Sequence, residues 1–261
     1  MSKDPTRHLS RRDVVAGVAA GVATGTAALS FGASAATRPS IKAIAFDGFP
    51  IFDPRSLAAL ARKSFGERGD MLVSLWSNKL FGYTWLNTSA GRYVGFEELA
   101  DASLRFAANS LGLALPDGLR GELVGAYSKL DIWPDVRPAL ARLRGAGIRL
   151  IFLSNLSEAM LNSNMDNAGI RSYFEATLST DRVKQYKPAP KAYQMAIDVL
   201  GLPKKQIGFA AFGGWDALGA TWFGYRTAWI NRTRQAPETL DMQPAIMTGN
   251  IDGVLALAGL V

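Results

Sequence analysis

The chain contains no cysteine, and its one histidine is His8. The first absence removes thiol nucleophiles, disulfides and cysteine-ligated metals. The second leaves any site beyond the N-terminal segment without imidazole, so chemistry there rests on carboxylates, amines, hydroxyls and amides. Runs of like charge are missing too. The net charge is +7, but the basic residues are scattered, with no Lys/Arg run interleaved with aromatics. That pattern argues against nucleic-acid binding and for a mild attraction to small anions. No internal repeat or low-complexity segment follows residue 40. Apolar residues are abundant: 48% of 261 residues are hydrophobic and 20% charged, enough for one large domain or a domain carrying an insertion.

Residues 1–36 read as an address. Arg11 and Arg12 precede a 23-residue uncharged stretch, Val14 to Ala36, built mostly of Ala, Gly, Val and Thr. It closes on Ala33-Ser34-Ala35-Ala36, the small-residue pattern of a signal-peptidase site. The segment resembles a twin-arginine export signal, which implies a periplasmic or secreted protein with the export machinery as a partner. An uncleaved membrane anchor is the other reading, because 23 residues can span a bilayer, but frequent Gly and Thr make the run weakly apolar. Cleavage would leave 25 Lys/Arg against 20 Asp/Glu.

Beyond residue 40 the chain has three parts. Ile41 to Phe46 is an apolar run of strand length, and the stretch KAIAFDGFPIFD, residues 42–53, ends it in Asp47 followed by a turn. From Ser56 to about Leu130 the pattern is helical and no strand is evident: Leu72, Leu75, Trp76, Leu80 and Tyr83 recur at three- and four-residue steps, and Phe96 to Leu111 and Leu119 to Leu130 follow. Trp76, Tyr83 and Trp85 read as packing within this block. After Trp133-Pro134, helices and strands alternate. Strands are expected at Ile148–Leu153, Ala176–Leu178, Ile207–Phe212 and Thr227–Ile230, with helices at Val136–Arg144, Ser157–Asn167, around Pro190–Leu200 and from Trp215. Alternation of this kind implies a parallel sheet, and the all-helical insertion suggests a cap over one edge. The expected division is a core of residues 40–55 and 131–261 and a cap of 56–130.

Ligands of open parallel sheets bind at the carboxyl ends of the strands. Asp47, Ser154-Asn155, Lys187 and Asp216 follow four successive strands and should therefore converge. A nucleophilic carboxylate, an ammonium to hold it ionised, a second carboxylate to hold the ammonium, and a hydroxyl with an amide for an anionic ligand form a workable site. Ser154-Asn155 could also start the next helix as an N-cap. Lys187, read as a loop charge, is expected to contribute little to stability.

Asp47, LSNLSEAML at 153–161, DRVKQYKPAPKAYQMA at 181–196 and GWDALGATWFGYRTAWINR at 214–232 stand in the order and spacing of the haloacid dehalogenase superfamily. The resemblance covers nearly all of residues 41–232 and is nearest to the type II L-2-haloacid dehalogenases, because Phe49 stands where the phosphatases carry a second Asp. The cap segment YTWLNTSAGRYVGFEEL, residues 83–99, is similar as well. This implies an α/β fold with a Rossmann-like parallel-sheet core and an inserted all-helical cap domain. It implies that Asp47 displaces halide from a 2-haloalkanoate to form an aspartyl ester, that Lys187 positions Asp47, and that Asp216 anchors Lys187. Ser154 and Asn155 would bind the substrate carboxylate, with Tyr193, Trp215 and Phe49 around it. No metal or cofactor is implied; the partner is a small anionic substrate, and a homodimer stays open because the sequence does not fix the oligomeric state.

The sequence departs from that pattern at four places. Ser77 follows Trp76 where the resemblance leads one to expect the halide-receiving Arg; Arg55, Lys79 or Arg92, or Asn155 with Trp215, could substitute. Ile51 stands near the place of an expected Thr, or Pro50 marks a deletion. Ala211 and Gly213 replace an expected Ser and Asn. Two other readings stay open: a superfamily phosphatase or phosphonate hydrolase using Mg²⁺, and an exported binding protein that keeps the scaffold without turnover.

Overall fold

Short apolar runs bounded by glycine, proline and polar residues set the framework of the computed structural model, which describes residues 40–261. The export segment read over residues 1–36, and His8 within it, lie outside the described residues. Six strands, β1 (Ala43–Phe46), β2 (Arg149–Ser154), β3 (Ala176–Ser179), β4 (Ile207–Ala211), β5 (Arg226–Ile230) and β6 (Ile246–Thr248), form one sheet in the order β3-β2-β1-β4-β5-β6. Every pairing is parallel. Successive side chains of a strand point to opposite faces, and the core divides accordingly. Ile44, Phe46, Leu150 and Phe152 join one cluster, whereas Ala43, Ala45, Ile151 and Leu153 join another.

Between β1 and β2 lie four helices, α1 (Arg55–Phe65), α2 (Arg68–Ser89), α3 (Phe96–Ser110) and α4 (Asp117–Gly125), and then α5 (Val136–Gly145). Residues 56–130 contain no strand, as the sequence indicates. Leu72, Trp76, Leu80 and Thr84 form the buried stripe of α2 at four-residue steps, the spacing of one helical face. Gly69 lets α2 approach α1: a side chain there would come within 2.6 Å of the Ala61 and Arg62 backbone. The helix read over Leu119–Leu130 is shorter than expected, ending at Gly125 and passing into a 3₁₀ turn over Ala126–Ser128.

After β2 come α6 (Glu158–Ala168), α7 (Pro190–Leu200), α8 (Gly214–Phe223) and α9 (Asp252–Ala258). The N-cap of α6 is Ser157, whose Oγ accepts the Met160 N–H; Ser154 and Asn155 are thereby free of the capping role considered for them. Residues of α7 and α8 pack on one face of the sheet, and residues of α5, α6, α9 and the inserted helices on the other. The edge strand β6 and α9 extend the fold beyond the last strand expected. Among the described residues no helix is long and apolar enough to cross a membrane.

Candidate active site

Asp47 leaves the centre of the sheet: β1 pairs with β2 on one side and β4 on the other, and the Asp47 N–H still donates to the Ala210 carbonyl. The chain then turns on Gly48, whose carbonyl accepts the N–H groups of Ile51 and Phe52. The ends of β2 and β4 bring Ser154 and the first turn of α8 alongside. Lys187 arrives on the loop between β3 and α7. All of these lie at the carboxyl ends of the strands, where helix dipoles and loop donors converge.

Lys187 Nζ donates to Asp47 Oδ1 at 2.7 Å and to Asp216 Oδ2 at 2.6 Å. Ser154 Oγ donates to the same Asp47 oxygen at 3.2 Å. The other Asp47 oxygen has a single long contact, 3.4 Å from the Phe49 N–H. Tyr193 OH donates to Asp216 Oδ1 at 2.7 Å, so each oxygen of Asp216 is held by a donor. Asn155 Oδ1 accepts the Lys187 backbone N–H, fixing the loop, while Asn155 Nδ2 is buried without a partner. A buried amide donor left unpaired costs about 1–3 kcal/mol unless a ligand supplies the acceptor.

Burial pulls the Lys187 pKa down, but the charges of Asp216 and Asp47 outweigh it and raise the pKa. Burial pushes the Asp216 carboxyl up to about 6 against the pull of Lys187, and the Asp47 charge adds to the rise. Both directions leave the ion pair charged at neutral pH. Tyr193 is raised well above the ordinary phenol range by burial and by Asp216, which keeps it a donor.

A cavity of about 520 Å³ opens beside Asp47. Phe49, Ser154, Asn155 and Trp215 line it with Asp47. Tyr193 does not: it is fully buried and serves Asp216 from behind, so its place is that of a support and not a substrate contact. Of the three cations considered for the leaving halide, Arg55 lines the wall and Lys79 and Arg92 do not. Arg55 is itself forked onto Asp53, at 2.6 Å from NH2 and 2.9–3.0 Å from Nε. Trp76 is buried with its indole N–H on the Ala100 carbonyl, and Tyr83 packs against Phe106. Trp85, read as packing, instead stands at the cavity wall against Trp215. Among the described residues no group of three or more His, Asp or Glu is placed to hold a metal ion.

A family model for haloacid dehalogenase-like hydrolases matches residues 17–224. The chain belongs to this family. The (S)-2-haloacid dehalogenase of Pseudomonas sp. (strain YL) is 38% identical to it over 205 residues, covering 78% of this chain and 88% of that protein. The crystal structure of an L-2-haloacid dehalogenase matches with a TM-score of 0.82 at 37% identity, over 84% of this chain and 99% of the other. The L-2-haloacid dehalogenase from Xanthobacter autotrophicus with chloropropionic acid covalently bound gives a TM-score of 0.76 at 27% identity, over 83% and 98% of the two chains.

Three supports of this haloacid dehalogenase-like hydrolase escape sequence reasoning. Trp133 Nε1 donates to the Phe49 carbonyl and its backbone N–H to the Ile51 carbonyl, pinning the turn after Asp47. Arg232 donates to the Pro50 carbonyl, forks onto Asp135 and lies 4.5 Å over the Trp133 ring. Tyr186, next to Lys187, donates its hydroxyl to the Val94 carbonyl and its N–H to Thr88 Oγ1, tying the lysine loop to the inserted helices. The proline after Trp133 marks a boundary in the sequence, but the 97-residue separation of Asp135 and Arg232 hides their pairing.

Proposed function

We propose that the chain hydrolyses the carbon–halogen bond of 2-halo acids, giving 2-hydroxy acids through an ester on Asp47. The observation that carries this reading is the asymmetry of the Asp47 carboxylate. Oδ1 accepts from Lys187 and Ser154, whereas Oδ2 has only the long Phe49 contact. Oδ2 is therefore the freer nucleophile: it bonds to C2 as the carbon–halogen bond breaks and the halide leaves with the electron pair. Oδ1 becomes the ester carbonyl oxygen. When water attacks the carbonyl carbon, negative charge gathers on Oδ1, where Lys187 Nζ and Ser154 Oγ already stand as donors; such pre-placed donors stabilise an oxyanion strongly. The hydroxy acid departs with the original Oδ2, and Asp47 regains an oxygen from water. One proton is released to solvent, and Asp216, both of whose oxygens are held by Lys187 and Tyr193, keeps the ammonium in place through the cycle.

The relatives' descriptions support the same chemistry, most directly the covalently bound chloropropionic acid of the Xanthobacter autotrophicus protein. Phosphoryl transfer is less well served. Phe49 offers no acid or base, and the Lys187 ammonium occupies the space between Asp47 and Asp216. Halide release from 2-chloropropionate, measured beside phosphate release from an aryl phosphate with and without Mg²⁺, tests the proposal. Mg²⁺-independent halide release is expected. Phosphate release dependent on Mg²⁺ would transfer the chain to the phosphatases, and neither product would favour the exported binding protein. Export through residues 1–36 is part of the proposal: cell fractionation should place the protein outside the cytoplasmic membrane, and cytosolic protein with an intact N-terminus would contradict it.

A further inference from the structure

We infer that the acid taken by this site carries an aryl group, a 2-halo-3-arylpropionate and not a two- or three-carbon halo acid; this rests on the function proposed above and names its substrate class. The volume is the first observation. A cavity of about 520 Å³ falls within the roughly 300–1,000 Å³ range of sites that enclose drug-sized ligands, and a three-carbon acid would leave most of it to water.

The second observation is what the water would touch. Phe81 and Trp85 on α2 and Trp215 on α8 line the cavity, yet none belongs to either core cluster. Their rings meet one another instead. Trp85 and Trp215 lie 5.5 Å apart at 78°, and Phe81 and Trp215 lie 5.2 Å apart at 55°. Trp85 remains 39% exposed. One exposed and two partly buried rings from two sides of one cavity form an apolar wall, and a fourth ring joins such a set at the edge-to-face spacings aromatic pairs prefer.

The third observation is local. Gly213 is the N-cap of α8, and a Cβ there would stand 2.7 Å from Trp215 Nε1. The missing side chain is what admits the indole to the wall. Ser74, Ser77 and Ala58 keep other parts of the lining short. One unpaired polar donor, Asn155 Nδ2, belongs to a residue that lines the cavity with Asp47, so a bound acid places its carboxylate and reacting carbon there and its side chain among the rings.

The test compares bromide release by the full chain from 2-bromopropionate and 2-bromo-3-phenylpropionate, which share a leaving group. Burying a phenyl ring predicts a kcat/KM roughly 10- to 100-fold higher for the phenyl acid. A ratio near or below one, with both acids turned over, overturns the inference and leaves the proposed function intact. If neither acid releases bromide, the proposed function fails. The inference is then read from quenching of indole fluorescence by the unreactive acids 3-phenylpropionate and propionate. Binding at least 10-fold tighter for the phenyl acid sustains it, and equal binding overturns it. In Trp85→Ala, checked for an unchanged melting profile, most of the phenyl advantage should disappear; an undiminished ratio contradicts the assignment of the wall.

Discussion

Asp47 Oδ1 lies 2.7 Å from Lys187 Nζ in a site where the lysine side chain is 1% exposed. The lysine is the site ammonium that its sequence context suggests, but it is buried, and the expectation that it contributes little to stability is corrected. Removing one partner of a buried ion pair leaves the others uncompensated, at a cost of about 3–5 kcal/mol. Lys187→Ala should lose stability on that scale in a urea titration and should also lose about 2–4 kcal/mol of transition-state stabilisation, the range for a pre-placed oxyanion donor. A variant as stable as wild type would show that the pair contributes nothing to folding, and near-normal turnover would remove Lys187 from the mechanism.

The raised pKa of Asp216, about 6, sets the acid limb of activity. Protonation neutralises the carboxylate that orients Lys187, so kcat should fall as pH drops through about 6 with the slope of one proton. The same shift bears on stability. A carboxyl raised in the folded state binds a proton there more readily than in the unfolded chain, so its ionisation lowers stability as pH rises from the ordinary value toward 6. A pH–rate profile flat down to about pH 4.5 would dissociate Asp216 from the reacting groups.

Asp135 holds Arg232, and through it the turn at Pro50. Burial opposes ionisation of Asp135, but Arg232 and the Ile251 N–H outweigh it and hold the carboxyl below its ordinary range. Stability from this group is thus present above the unfolded carboxylate range and is lost as pH falls through the lower folded value. Asp135→Ala should cost about 1–3 kcal/mol at neutral pH, and the difference from wild type should shrink as pH falls through the lowered folded value. A gap independent of pH in paired denaturant melts would argue for lost packing instead.

Ser77 and Arg55 both line the cavity, and the charge of Arg55 is taken by Asp53. A leaving halide thus meets no unpaired cation on the described wall, and turnover should be slow. Ser77→Arg would add a charge-assisted donor worth about 1.5–3 kcal/mol, raising halide release from small halo acids roughly 10- to 100-fold. Stopped-flow or steady-state halide detection would decide it; a neutral or harmful effect would mean that Arg55 or a neutral donor already receives the halide.

Legibility in the sequence followed physical range. The buried strands were visible as apolar runs, and one topological rule was enough to bring Asp47, Ser154, Lys187 and Asp216 to one mouth. The three residues of β6 and the seven of α9 carry too little pattern to declare themselves. Trp85 was misread although its spacing held the answer. It stands nine positions beyond buried Trp76, about two and a half turns at 3.6 residues per turn, and so on the opposite face of α2. Contacts such as Asp135 with Arg232, and Tyr186 with Thr88 and Val94, depend on the folded chain and leave no local trace.

The origin of the new hydroxyl oxygen tests the central claim most directly. With enzyme in excess over a 2-halo acid in ¹⁸O-labelled water, one turnover should leave the label in the Asp47 carboxylate, detected by mass spectrometry of its peptide, while the hydroxy acid carries the unlabelled Asp47 oxygen. Labelled hydroxy acid on the first turnover, with an unlabelled Asp47 peptide, would show that water attacks C2 directly and that no ester forms on Asp47.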